Sequence, residues 1–240
     1  MPDASRAIAL ISKYVRNVDV AWEQILFINY TSLLQSGCNA VDIGGNVGWH
    51  SQRLIEHLAC ANLAIFEPIP LLAQKLIERF GGRSGVIVHE LALSNWNGNT
   101  NFFAKPNSLG ESGLRRKQRY GNGRNDDLVT IEVETRRLDD VRLGFAPDYI
   151  KVDVEGGEIH VLQGATDTIR RHRPIISVEF GSNGYEAYGH EGSALAQFST
   201  KNDYYIYVLS KNSIKNYSYK GKPIKNHTIF IYMYTSICVL

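Results

Sequence analysis

Apolar residues follow two rhythms along this chain, and the change from one to the other sets its expected architecture. Up to about Leu34 they recur at helical spacing, as Ile8, Ile11, Val15, then Ile25, Leu26, Tyr30, Leu33 and Leu34. This predicts one or two helices that precede a sheet and cover one face or edge of it. From Asn39 short apolar runs alternate with amphipathic stretches. The pattern predicts a strand at Ala40 to Ile43, a helix at Val47 to Leu58, a strand at Leu63 to Phe66, a helix at Leu71 to Phe80 and a strand at Val86 to Leu93. That is a βαβαβ run, right-handed by rule.

After Ser94 the rhythm breaks. Asn95 to Asp127 is rich in Asn, Gly, Ser and Arg and too long for an ordinary connection, so a lid with one short strand at Thr100 to Phe103 is expected. Alternation then resumes with a strand at Val129 to Glu134, a helical turn at Leu138 to Val141, a strand at Tyr149 to Val154, a helix at Glu158 to Arg171 and a strand at Ile175 to Val178. Beyond Gly181 the pattern predicts a helix at Ser193 to Ser199 and strands at Tyr204 to Leu209 and Thr228 to Tyr234, the two strands forming an antiparallel hairpin. The expected fold is α/β: a doubly wound, mostly parallel sheet with that hairpin at its edge. No repeat, low-complexity tract or linker interrupts it. One domain is expected over 1–240, with a helical cover at 1–38, a core at 39–181 and terminal strands at 182–240.

Composition changes this picture little. The 240 residues, 44% hydrophobic and 21% charged, suit one α/β domain. A formal net charge of +2 gives no reason to expect a nucleic-acid partner. Three cysteines, Cys38, Cys60 and Cys238, favour a reducing compartment over a disulfide framework, which points to the cytoplasm. No signal-peptide pattern is visible, and the apolar stretch from Ile229 is too short to cross a bilayer, so no stable membrane insertion is expected. His50, His89, His160 and His190 have no metal-ligand spacing, and no metal is expected.

Candidate chemistry begins at Val41-Asp42-Ile43-Gly44-Gly45-Asn46-Val47-Gly48, where a strand breaks into glycine before a helix. Glycine, lacking Cβ, lets a backbone approach a ligand closely, and Gly44 and Gly48 sit where that approach would occur. Asp42 is too polar for a buried strand unless it orders the loop or meets a cation. A dinucleotide fingerprint would need glycine at Asn46 and Trp49, and a P-loop would need a lysine; neither is present. Further on, the run from Lys151 to Glu158 sets Lys151, Asp153 and Glu155 two apart on one strand face. Such charges must pair, bind a ligand or stand at the strand's carboxyl end, where open α/β sheets bind ligands.

The pattern Asp42-x-Gly44-x-Asn46-x-Gly48 resembles motif I of class I S-adenosylmethionine-dependent methyltransferases. With Phe66-Glu67-Pro68, Leu91-Ala92-Leu93-Ser94, Leu138-Asp139-Asp140, Lys151-x-Asp153-x-Glu155-Gly156-x-Glu158 and Val178-Glu179, in that order, the chain resembles the FkbM family of methyltransferases from about Asn39 to Gly181. The resemblance implies a Rossmann-like fold, S-adenosyl-L-methionine as cofactor and methyl transfer to a hydroxyl of a sugar or natural product. Small members of this layout include rhizobial enzymes that 2-O-methylate the fucose of nodulation factors, which makes such a glycan one candidate acceptor.

On this reading Gly44, Asn46 and Gly48 shape the turn under the cofactor, and Asp42 orders it or faces the methionine ammonium. Glu67 chelates the ribose hydroxyls, and Leu93 and Ser94 meet the adenine edge. Asp153 or Glu155 is the base for the acceptor hydroxyl. Lys151 either echoes the Lys-Asp-Lys-Glu set of ribose 2′-O-methyltransferases or pairs with Asp153, Glu155 or Glu179. Glu158 opens a helix, where an acid is favoured regardless of chemistry. The basic stretch Arg115, Arg116, Lys117, Arg119 and Arg124, with Tyr120, is a solvated loop or an acceptor clamp. An RNA ribose 2′-O-methyltransferase and a nucleotide-binding module without catalysis are the alternatives, and no RNA-binding domain accompanies the first.

Overall fold

The computed structural model describes residues 18–106, 109–116, 128–179, 186–210, 213–215 and 228–232. Helix α1 (Val18–Leu33) precedes β1 (Asn39–Ile43), α2 (Trp49–Leu58), β2 (Asn62–Phe66), α3 (Pro70–Phe80) and β3 (Val86–His89). Then come β4 (Ala92–Leu93), β5 (Gly98–Ala104), β6 (Val129–Arg136), β7 (Tyr149–Val152), α4 (Glu158–Gly164), α5 (Thr166–His172) and β8 (Ile175–Glu179). Helix α6 (Ala194–Lys201), β9 (Tyr205–Ser210), β10 (Ser213–Lys215) and β11 (Thr228–Tyr232) complete the described elements.

The main sheet runs β10-β9-β11-β8-β7-β1-β2-β3. All its neighbours pair in parallel except β9 with β10. From β1 the chain builds outward first through β2 and β3, then on the other side through β7 and β8. The strand order therefore reverses between β1 and β7, and the crevice outside their carboxyl ends is where such sheets bind ligands.

Both faces of the sheet are buried, and the two-residue strand period divides the core. Val41, Ile43, Ile150, Val152, Ile176 and Val178 pack on one face with Ile159, Leu162, Ile169 and Leu195 of α4 to α6. Ala40, Leu63, Ile65 and Tyr149 pack on the other with Leu26 and Tyr30 of α1, Leu54 of α2 and Leu76 of α3. Full burial of an aliphatic side chain such as Leu26 or Leu54 is worth about 1.5–3 kcal/mol. The same period puts Asp42 and Lys151, opposite each other in register, on the α1–α3 face.

Several sequence expectations are corrected. The antiparallel hairpin at the sheet edge is β9 with β10, whereas β9 and β11 lie side by side in parallel. The run from Val86 to Leu93 divides: β3 stays in the main sheet, and β4 joins a second sheet of order β4-β6-β5. Within the expected lid, the strand foreseen at Thr100 to Phe103 is the longer β5, which pairs with β6 from Gly98↔Thr135 to Ala104↔Val129. Lys117, Arg119, Tyr120 and Arg124 lie outside the described residues, as do residues 1–17 and Cys238. The helix expected at Glu158 to Arg171 is two helices broken at Ala165, where Gly164 packs so tightly that a Cβ would stand 2.0 Å from the Ser94 carbonyl oxygen. Cys38 and Cys60 face each other, Sγ to Sγ 3.0 Å, both as free thiols. Among the described residues no helix is long and apolar enough to cross a membrane.

Candidate active site

A cavity of about 500 Å³ opens at the carboxyl ends of β1, β2, β7 and β8, within the size range of small-molecule sites. Its floor includes Gly44, Asn46, Glu67, Asp153 and Glu179, and one wall comes from the second sheet and its loop, with Phe102, Gly110, Ser112 and Leu114. The wall carries the acids Glu23, Glu67, Glu111, Asp153, Glu155 and Glu179 and, among the described residues, no lysine or arginine.

The glycine turn is shaped by protein contacts. Gly44 has φ +80°, and a Cβ there would stand 1.8 Å from the Asp153 carbonyl oxygen. Gly48, also at φ +80°, would drive a Cβ to 2.7 Å from Phe80 and 2.8 Å from Leu76. The expectation that these glycines admit a ligand is thus modified: what they make room for is the end of β7 and the face of α3. Gly44 and Gly45 both donate N–H bonds to the Phe66 carbonyl at 3.0 Å, tying the turn to β2. Asn46 takes a left-handed φ of 48°, and its N–H donates to Glu67 Oε2 at 2.8 Å.

Glu67 is almost fully buried, and its other oxygen accepts the Ile69 N–H at 2.9 Å. Burial raises its pKa, against the two backbone donors and Lys151, which pull it down; the net shift is upward. A carboxylate has about four acceptor positions, so each oxygen has capacity for a further hydrogen bond beyond its one backbone donor. Leu93 ends β4 and Ser94 follows it, and both line the cavity. The Ser94 hydroxyl is buried with no partner among the described residues.

Asp42 is fully buried and does not reach the cavity. Its Oδ2 accepts the Ser51 hydroxyl at 2.6 Å, and its Oδ1 stands 3.5 Å from Lys151 Nζ. Lys151 also lies behind the cavity wall, 3.1 Å from Asp153 Oδ2 and 3.4 Å from the Gly44 carbonyl oxygen. Burial works against its charge, but Asp153 and Asp42 outweigh burial and hold the ammonium protonated well above the ordinary lysine range.

Asp153, Glu155 and Glu179 converge, their nearest oxygens all within 4.8 Å of one another. Spacing of His and Cys gave no hint of this cluster, which has the donor chemistry and reach to hold a cation. Burial raises the Asp153 pKa, yet Lys151 and a hydrogen bond from Glu179 prevail, and the net shift is downward. Glu179 moves the other way: burial and the charges of Asp153 and Glu155 push its pKa well up. Glu155 sits at a left-handed φ of 61° on the turn that follows. Glu158 points back into that turn, accepting the Val154 and Gly156 N–H groups at 3.1 and 2.9 Å, with its pKa pushed up by burial to about 7.

Three wall residues escaped sequence reasoning. Glu23 reaches the cavity from α1, a mostly apolar helix in which it is one of two acids with Asp19, and nothing local marks it out. Tyr188 accepts the Leu114 N–H at 3.1 Å, joining the segment after β8 to the second-sheet wall. Phe102 comes from β5, inside the stretch expected to be a lid. Arg115 and Arg116 are exposed, with Arg116 over the Phe103 ring.

Against known families, residues 42–206 match the methyltransferase FkbM domain. Among curated proteins the chain is 33% identical over 151 residues to the 2-O-methyltransferase NoeI of Sinorhizobium fredii, covering 57% of this chain and 61% of that protein. It is 28% identical over 155 residues to the methyltransferase sdnD of Sordaria araneosa, covering 53% and 60%. It is 28% identical over 144 residues to the hexuronic acid methyltransferase AglP of Haloferax volcanii, covering 56% and 53%. The chain thus spans between half and two thirds of the length of these relatives. No solved structure gives a significant match.

Proposed function

Because the chain belongs to the FkbM methyltransferase family, we propose that it is an S-adenosylmethionine-dependent O-methyltransferase whose acceptor is a hydroxyl, that of a sugar in a glycolipid, oligosaccharide or natural product. The observation that carries this reading is the acid-lined cavity at the strand reversal, with Glu67 tied to the turn beneath it. The residues fit a cationic nucleoside. Ser94 offers a buried hydroxyl without a protein partner, Glu67 has lone pairs left for a ribose diol, and the acids on the wall favour positive charge. When bound, the cofactor supplies an electrophilic methyl group on a sulfonium.

The chain's own residues do the rest. Asp153 accepts the hydrogen bond of the acceptor hydroxyl and takes its proton, with Glu155 beside it as the second candidate. A carboxylate that merely faced the sulfonium would stabilise the ground state more than the charge-dispersed transition state, so Asp153 helps through the nucleophile. Its lowered pKa is compatible with this role, because an alkylating hydroxyl becomes far more acidic as the new bond forms. Lys151 acts through Asp153, fixing its orientation from behind the wall.

The RNA alternative loses support at the same wall, since clustered acids repel a phosphate backbone. Similarity to the 2-O-methyltransferase NoeI makes a sugar with a free 2-hydroxyl the first acceptor to try, and the unmethylated fucose of a nodulation factor is one such sugar. Calorimetry with S-adenosylmethionine, S-adenosylhomocysteine and NADH tests the donor, and labelled methyl transfer to neutral oligosaccharides, glycolipids and RNA tests the acceptor. Binding of NADH alone would overturn the reading.

A further inference from the structure

We infer that Glu23, carried by α1 ahead of the family-matched segment, is the ligand for the α-ammonium at the amino-acid end of the S-adenosyl donor. This rests on the donor-binding reading above. The sequence offered Asp42 for that ammonium, but Asp42 is shut away from the cavity and its oxygens are directed at Ser51 and Lys151. The ordering role remains to it, and the ammonium needs another acid.

Glu23 is placed for it. The carboxylate lines the cavity, is about a quarter exposed (27%), and accepts a hydrogen bond from His50 Nε2. His50 is the second residue of α2, immediately after the glycine turn, and its Nδ1 lies 3.3 Å from the Tyr30 hydroxyl. Tyr30 is fully buried, so this contact holds the far edge of the imidazole ring in place. His50 therefore ties the Glu23 carboxylate to the start of α2, beside the glycine turn.

Charge balance points the same way. Behind this part of the wall Lys151 is already shared by Asp42 and Asp153, and it also feels Glu23. A cation arriving in the cavity relieves that excess of negative charge. The orientation is consistent as well: with the ribose on Glu67 and the adenine toward Leu93 and Ser94, the opposite end of the donor falls toward β1, β7 and α1. An ammonium brings three N–H donors, and charge-assisted hydrogen bonds are the strong ones.

The test compares wild type and Glu23→Gln by calorimetry with two probes. S-adenosylhomocysteine keeps the ammonium and lacks the sulfonium charge; 5′-methylthioadenosine lacks the whole amino-acid end. The expected result is about tenfold or greater weakening of S-adenosylhomocysteine binding, with 5′-methylthioadenosine unchanged within about twofold. The second probe also reports whether the variant's cavity is intact. Unchanged S-adenosylhomocysteine binding, or equal weakening of both probes, overturns the assignment of Glu23. Wild type that binds neither probe overturns the donor reading itself, and this inference with it.

Discussion

Glu67 Oε2 accepts the backbone N–H of Asn46 at 2.8 Å, so the acid at the end of β2 holds the turn at the end of β1. The proposed ribose ligand is also the clasp of the loop beneath the ribose.

Replacing Glu67 therefore removes two things. Glu67→Ala is expected to weaken S-adenosylhomocysteine binding by about ten- to a hundredfold, the worth of one or two charge-assisted hydrogen bonds. Glu67→Gln keeps a single acceptor oxygen, enough for the Asn46 or the Ile69 N–H but not for both, and loses the charge, so it should fall between alanine and wild type. Calorimetric titration checks both. Equal affinity in all three proteins would remove Glu67 from the donor site.

Asp153→Asn should lower turnover by about 10²–10⁴-fold while donor affinity changes little. Lys151 keeps Asp42 as partner in this variant, so the fold is retained. Single-turnover methyl transfer at saturating donor separates the two effects. Wild-type turnover would pass the proton to Glu155.

Much of this site was legible because its parts are local. The turn from Asp42 to Gly48 and the run from Lys151 to Glu158 carry their chemistry within a few residues, and the strand period alone aligned Lys151 with Asp153. What the turn glycines accommodate was not legible: they face Asp153, Leu76 and Phe80, which are distant in sequence. Nor was the division of Val86 to Leu93, two apolar runs either side of His89 and Glu90 that join different sheets because β6 arrives to pair with β4. Glu23 and Tyr188 enter through tertiary packing, which leaves no local signature.

Burial raises the Glu158 pKa to about 7 in the folded state, above its ordinary 4.5. Folding then favours the protonated carboxyl, so this group's contribution is fully present below about pH 4.5 and is lost as pH rises to about 7. The shift corresponds to an effect on the order of 3 kcal/mol. Glu158→Gln, which keeps an oxygen for the Val154 and Gly156 N–H groups, should flatten that part of the stability profile. Urea melts of both proteins at pH 5 and pH 8 check it; parallel pH dependence would contradict it.

Gly44→Ala should cost far more stability than Gly110→Ala. The first sets a methyl 1.8 Å from a carbonyl oxygen on a positive-φ backbone, whereas the second meets only Asn46 Nδ2 at 3.4 Å. A loss of several kcal/mol against about 1 or less is expected from backbone clash and strain, read from denaturant midpoints.

The second sheet lies within a chain excursion that leaves the main sheet after β3 and rejoins it at β7. Phe102, Ser112 and Leu114 thus belong to a detachable module, while the glycine turn and Glu67 belong to the chassis. On the proposed reading, grafting only the part of that excursion beyond Ser94 from one relative onto another would exchange the facing wall of the cavity while leaving in place Leu93, Ser94, Glu67 and the glycine turn, which are assigned to the methyl source.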